Sequence, residues 1–494
     1  MLGLLIRMNH SRFITFLILA CLLFSKPAIG SAQDQQPEEP IYIVQEGDSL
    51  WDIAIRFGVS IESLTRINDI NDASQLSVGD NLIIPGLEGI KGYLNTVEAN
   101  FGDSILSLSR KYQIPIQNLL ELNHLTSSYE LYAGRTIVVL EQNINSENSI
   151  RGVISNNQSL FEYAIANDSN PWEYIVENQL EESLGIIPGD VIHLKIEDSN
   201  ELENPNKKAN EPGAFPGMVA EILLEPVTAI QGKTEVIKVI GDDDLEIKGK
   251  LLDNELNFFV DPKGDYVSIQ GIHAMVEPGS YPLDIEISVP DKTYTAQNKE
   301  TIFNFSQPIY IKSGGYAFDP VLVVSPETID PTVTRPEDAQ WSALGAPSSP
   351  EKYWEGKFLS PVPKDYENCW PSLFGNRRSY NGSAYDYFHT GLDFCGGIGT
   401  EIYAPASGKV VFAGPLTVRG NATVIDHGWG VYTAYMHQSE IFVKPGEWVE
   451  PGQLIGLVGD TGRVTGPHLH WEVWAGGIQV DPMEWLVKSF PDAN

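Results

Sequence analysis

The chain reads as a multidomain protein that joins small α+β repeats to a middle all-β sandwich and a separate C-terminal domain. Three observations lead there. Its 494 residues exceed what a single hydrophobic core organises. A pattern recurs at an offset of 55 residues between about residues 40 and 196. Short alternating strands then follow, and five of the nine histidines fall after residue 385.

Residues 1–32 have the form of a secretory signal peptide. Arg7 and Arg12 charge the start, Phe13 to Phe24 form an apolar run broken only by Thr15, and Ala28, Gly30 and Ala32 supply small residues for cleavage. The run is too short for a bilayer, and nothing after it has the length and apolarity of a span. Export is therefore expected, with no stable membrane insertion after cleavage. Formal net charge is −34, and about −37 without Arg7, Arg12 and Lys26. Such a surplus repels phosphate backbones and anionic lipid, which excludes nucleic-acid binding.

The repeats come next, at 40–86, 92–141 and 150–196. Gly47-Asp48-Ser49-Leu50 returns as Gly102-Asp103-Ser104-Ile105, and Asn68 and Gly79 return as Asn123 and Gly134. The third copy keeps Ser159-Leu160, Asn178 and Gly189-Asp190 but has Pro171 where Ile61 stood. In copy one, Tyr42 to Val44 predicts a strand, and Asp48 or Ser49 caps a helix with Leu50, Ile53, Ala54 and Phe57 on one face. Ser60 starts a second helix that Asn68 ends, and Leu82-Ile83-Ile84 closes the unit as a strand.

With Tyr42-Ile43-Val44-Gln45-Glu46-Gly47-Asp48-Ser49-Leu50-Trp51 and Leu76-Ser77-Val78-Gly79-Asp80, this βααβ unit resembles LysM domains. The third copy is a degenerate match. The resemblance implies binding to N-acetylglucosamine polymers, peptidoglycan or chitin. It places sugar contacts on Gly47, Asp48, Ser49 and Leu50, on Gly102, Asp103 and Ser104, and on the segment between second helix and second strand. Tandem weak modules gain avidity on a polymer.

Residues 197–213 are polar and read as a linker. Across 214–324, alternating runs such as Glu235 to Ile240 and Leu283 to Val289 are punctuated by turns at Asp261-Pro262-Lys263-Gly264 and Pro278-Gly279-Ser280. This spacing predicts an immunoglobulin-like β-sandwich. Residues 325–352, rich in Pro, Thr, Ser and Asp, read as a second linker before a domain at 353–490.

That last domain holds the chemistry. In a strand, His468 and His470 share a face while Leu469, Trp471 and Val473 face a core, so both imidazoles are eligible metal ligands. His389 and Asp393 sit about 13 Å apart in a straight strand, so they meet on one ion only if the chain bends, and Gly391 offers the place. Three protein ligands with an open fourth position describe catalytic zinc. Thr433, Tyr435 and His437 share a face if Val431 to Met436 alternate regularly, and His427 sits in a turn. Cys369 and Cys395 are expected to pair in an oxidising compartment, although Cys395 lies near enough to Asp393 to be weighed as a thiolate ligand.

Phe374-Gly375-Asn376-Arg377-Arg378, Phe388-His389-Thr390-Gly391-Leu392-Asp393, Ile402 to Gly408 and Gly462 to His470 together resemble the lysostaphin/LytM-type zinc endopeptidases of bacterial cell walls. The resemblance implies a mainly antiparallel β-fold and one Zn2+ held by His389, Asp393 and His470. It also implies catalytic roles for His437 and His468, with Glu472 as a supporting residue rather than the base. The expected protein is a secreted, wall-associated bacterial enzyme cutting peptide stems or cross-links of peptidoglycan. The alternative is a catalytically silent regulator of other wall hydrolases.

Overall fold

The computed structural model describes residue 37 and residues 39–491, apart from 73–75, 88, 113, 128–129, 142–148, 155–158, 168, 179, 181–190, 196–214, 216–218, 290–300 and 347–348, with Phe215 described. The expected signal peptide, the 197–213 linker and Gly189-Asp190 lie outside the described residues. The chain divides into two compact units, Met1–Leu94 and Asn95–Asn494.

The first unit is repeat 1. Strand β1 (Pro40–Ile43) pairs antiparallel with β2 (Asn81–Ile83) and parallel with the first residues of β3 (Gly92–Glu98). Helix α1 (Leu50–Arg56) starts at Ser49, whose hydroxyl accepts the Asp52 N–H at 3.2 Å. Ser60 caps α2 (Ile61–Ile67) in the same way. Asn68 explains its own recurrence. It donates to the Leu64 and Ile83 carbonyls and accepts the Ile83 N–H, so one side chain ties the end of α2 to β2.

In the second unit, repeat 2 continues with α3 (Ile105–Tyr112), α4 (Ile116–Leu122) and β4 (Thr136–Glu141), and Asn123 clamps Val138 as Asn68 clamps Ile83. Repeat 3 keeps the order: β5 (Ser149–Val153), α5 (Leu160–Ala166), α6 (Pro171–Glu177) and β6 (Val191–Lys195), with β5 antiparallel to β6. Pro171, the odd residue of this copy, occupies the first turn of α6, where a missing N–H costs nothing.

The middle region forms two facing sheets. One runs β11 (Asn254–Leu256), β10 (Glu246–Leu251), β14 (Gly279–Val289), β15 (Thr301–Lys312), β8 (Ala229–Ile230). The other runs β12 (Phe259–Val260), β13 (Tyr266–Gly271), β9 (Thr234–Gly241), β7 (Val219–Glu225). Ile222, Ile237 and Val239 from one sheet and Leu283, Ile285 and Ile309 from the other enter a single core, as the alternation predicts. The outer face of the second sheet is not free: Val236, Val267 and Ile269 belong to the core of the C-terminal domain.

The reading of 325–352 as a linker is corrected. Asp330 caps α7 (Pro331–Leu344), a helix of 14 residues. Trp341 is 1% exposed, packed among Ala422, Val424, Tyr432 and Trp474. Glu337 accepts the backbone N–H groups of Thr417, Val418 and Arg419. The helix has so few apolar residues that its period is invisible, and its Pro, Thr and Asp content imitates a linker.

In the C-terminal domain the order is β18 (Leu392–Phe394), β25 (Leu469–Ala475), β22 (Val431–Ile441), β21 (Gly420–Asp426), β20 (Gly408–Leu416), β23 (Trp448–Val449), with every neighbouring pair antiparallel. Leu469, Trp471 and Val473 enter the core, which leaves His468, His470 and Glu472 to the opposite face.

Candidate metal centre

Strand pairing brings the ligands together. Asp393 on β18 lies directly opposite His470 on β25. His389 joins them because the chain breaks between β17 (Tyr387–Phe388) and β18. Gly391 is needed for a reason other than the expected bend alone. A Cβ there would strike the Trp471 carbonyl and lie 2.7 Å from His470 Nε2.

Three donor atoms converge. His389 Nε2 is 2.9 Å from Asp393 Oδ1 and 3.0 Å from His470 Nδ1, and that Nδ1 is 2.9 Å from the same carboxylate oxygen. Ligands about 2.0–2.1 Å from a tetrahedral ion stand roughly 3.3 Å apart, so the cluster is close to the required size. The outer nitrogens are already engaged. His389 Nδ1 donates to the Leu373 carbonyl at 2.8 Å, and His470 Nε2 donates to Glu472 Oε1 at 3.2 Å. Neutral imidazoles so oriented turn two lone pairs and a carboxylate on one point, an arrangement that calls for a cation. Burial pushes His389 down to about 4. Burial would raise Asp393, yet the two imidazoles hold it well below the usual carboxylate range. His470 is pushed upward, because Asp393 and Glu472 outweigh its burial; proton and metal ion compete for the same nitrogen.

Supporting residues fix the ligands. Thr390 donates to Glu472 Oε1, while Trp341 and Trp474 donate to Oε2 at 3.3 and 2.7 Å. Arg378 reaches the second oxygen of Asp393 at 3.5 Å and is itself held by Asp319. Neither Arg378 nor Asp319 receives a role from the sequence. Arg378 lies in a segment quoted for its resemblance; Asp319 carries no signal, since its partner is 59 residues away.

His468 and His470 are separated by geometry. His468 Nδ1 donates to the Gly466 carbonyl at 2.8 Å, and its Nε2 lies 3.6 Å from Asp393 Oδ1, outside the three-atom cluster. The His437 ring lies 5.1 Å from that of His468, and its Nδ1 donates to the Thr461 carbonyl. Its route there departs from the expected alternation. Thr433 and Tyr435 face the core, where the Thr433 hydroxyl meets His427 and Tyr435. His437 leaves that face through a left-handed φ of 62°, beside a shift in strand register. Burial, then the neighbouring His468 and His470, drive its pKa well below the ordinary imidazole value.

Cys369 and Cys395 are disulfide-bonded, which removes Cys395 as a ligand. The Cys395 N–H also donates to the Cys369 carbonyl, and the Asp393 N–H to that of Ser372, each at 3.0 Å. The residues expected to contact sugar are treated unequally: Gly47 and Ser49 are exposed, whereas Gly102 and Asp103 are buried.

The centre opens on a groove of about 800 Å³ whose walls include His273 and Met275 of the sandwich, Asp319, Thr334 of α7, and Tyr380. A buried His–Asp–His cluster with two further histidines, His437 and His468, at the floor of the groove defines a metal-dependent hydrolase centre. Comparison with known proteins carries this further: residues 387–482 match peptidase family M23, and residues 42–85 and 100–139 match the LysM domain. The chain thus contains an M23 peptidase domain and LysM domains.

Among curated relatives, peptidoglycan DD-endopeptidase ShyA of Vibrio cholerae is 48% identical over 96 residues, 19% of this chain and 22% of that protein. The DD-carboxypeptidase/endopeptidase Mpg of Neisseria meningitidis is 44% identical over 95 residues, 19% of this chain and 22% of that protein. Lysostaphin of Staphylococcus simulans, a solved structure, aligns at 31% identity over 26% of this chain and 53% of its own, with a TM-score of 0.22. The chain spans only about a fifth of the length of the first two relatives.

Proposed function

We propose that this protein is an exported zinc endopeptidase of bacterial peptidoglycan, brought to the wall by LysM-mediated binding to N-acetylglucosamine glycan. The observation that carries the reading is the convergence of His389 Nε2, Asp393 Oδ1 and His470 Nδ1 within 3.0 Å at the groove floor. When bound there, zinc supplies a Lewis acid for the scissile carbonyl and lowers the pKa of water. His437 and His468 each donate Nδ1–H to a backbone carbonyl, which leaves Nε2 as the basic nitrogen of both rings. One takes the proton of the attacking water, holds it toward the developing oxyanion and passes it to the departing amine, while the other orients the water by accepting a hydrogen bond at Nε2. The DD-endopeptidase names of the relatives favour cross-links between D-amino acids over glycine bridges. The signal-like 1–32 segment supports export, and the sandwich is read as an immunoglobulin-like support for one wall of the groove.

The test is zinc content and fragment release from walls of different cross-bridge chemistry, analysed by mass. His389→Ala is expected to lose zinc and activity together; His468→Ala is expected to keep zinc and lose activity. Protein that binds no zinc and releases no new amines from any wall would return the reading to a silent regulator.

A further inference from the structure

Repeats 1 and 2 carry the same Gly-Asp-Ser turn in opposite surroundings. In repeat 1 Gly47 and Ser49 are exposed, as are Val78 and Gly79 on the loop before β2. A Cβ added to Gly47 or Gly79 would meet nothing within 4 Å.

In repeat 2 the matching surfaces lie under β15 of the sandwich. Gly102 donates its N–H to Gln307 Oε1, and Gln307 Nε2 donates to the Asp103 carbonyl at 3.2 Å. Phe101 packs edge-on against Phe305 at 5.3 Å, and a Cβ on Gly102 would run into the Phe215 ring. The second sugar-contact segment is covered as well. Ala133 donates to the Pro308 carbonyl at 3.1 Å, and Tyr132 stacks on Tyr310 at 5.2 Å. The sequence carries the mark of this difference at the repeat offset. Phe101 stands where repeat 1 has the exposed Glu46, and Tyr132 where it has Ser77. Aromatic rings have replaced small or charged groups where β15 makes contact, and Phe101 is 2% exposed.

We infer that repeat 2 is a dock rather than a glycan-binding module: its sugar-contact surface is the interface that fixes it to the sandwich, and repeat 1 captures glycan without it. The glycan half of this inference rests on the LysM reading above; the docking half does not. Avidity from repeats 1 and 2 acting together is then absent, and repeat 2 instead belongs structurally to the unit that carries the metal centre.

Hydrogen exchange of the full chain, with and without an N-acetylglucosamine hexamer, separates the cases. In free protein, amides 101–103 are expected to exchange at least about tenfold more slowly than amides 46–48, and Gln307→Ala is expected to remove that difference. Saturating hexamer is expected to protect segments 46–49 and 76–79 and to leave 101–104 and 131–134 unchanged. Protection, or accelerated exchange, at 101–104 on adding hexamer would overturn the inference, because glycan would then reach or displace the dock. So would fast exchange at 101–103 in free protein. If the hexamer protects nothing, the LysM reading of repeat 1 fails, while slow, Gln307-dependent exchange still upholds the dock.

Discussion

Glu472 shows how much a single side chain behind the ligands decides. Its two oxygens take hydrogen bonds from His470, Thr390, Trp341 and Trp474, so it fixes the ring that completes the metal cluster. Glu472→Gln is expected to weaken zinc binding about 10–100-fold in chelator competition while leaving the fold intact. Unchanged affinity would mean that β25 alone orients His470. His427, a structural histidine, is fully buried between the Ser407 carbonyl and the Thr433 hydroxyl, and burial pushes it down to about 4. Its folded value lies below the unfolded one of about 6.5, so its contribution is complete above that pH and lost as pH falls toward 4. The loss is of order 3 kcal/mol, and His427→Gln is expected to flatten this part of the pH–melting curve. At this scale the sequence was legible where period and spacing speak: His389, Asp393 and the same-face pair His468 and His470. Alternation put His437 on the face of Thr433 and Tyr435, which the structure corrects, because its position depends on a left-handed φ of 62° that no alternation rule contains.

Among the elements, α7 is where composition misleads most. Its helical period is carried by Trp341 and Leu344, with Pro331 at the start and Pro336 inside. What holds it is tertiary: the Trp341 ring among Tyr432 and Trp474, and Glu337 across three backbone N–H groups. Trp341→Ala is expected to cost about 3–5 kcal/mol in urea unfolding, and also to loosen Glu472, whose Oε2 it meets at 3.3 Å. Little change in stability would return 325–352 to a linker. The repeats show the opposite case. Their helix starts at Ser49 and Ser60 and their closing Asn68 were readable because caps and clamps act locally.

For the larger unit, the sequence separates domains that the structure joins. Val236, Val267 and Ile269 of the sandwich share a core with Trp354, Trp471 and Trp485, and Lys233 pairs with Asp481 at 2.8 Å. Sandwich and peptidase domain are therefore expected to melt in one calorimetric transition; two well-separated transitions would contradict the shared core. Near this junction Glu235 is fully buried, and neither of its oxygens has a hydrogen-bond partner among the described residues. Burial, with Glu484 and Glu225 nearby, raises its carboxyl well above the ordinary value. A carboxyl raised on folding costs stability as pH climbs above the unfolded value of about 4.3. Glu235→Met is expected to add about 1–3 kcal/mol at pH 7, with the gain shrinking toward pH 4. The Cys369–Cys395 bond has a consequence of another kind. It lies beside the backbone that holds both ends of the centre, the Ser372 carbonyl on Asp393 and the Leu373 carbonyl on His389. Metal retention is then tied to thiol chemistry. Reducing the bond is expected to slacken the site and speed zinc loss to a chelator, and unchanged retention after reduction would separate the two.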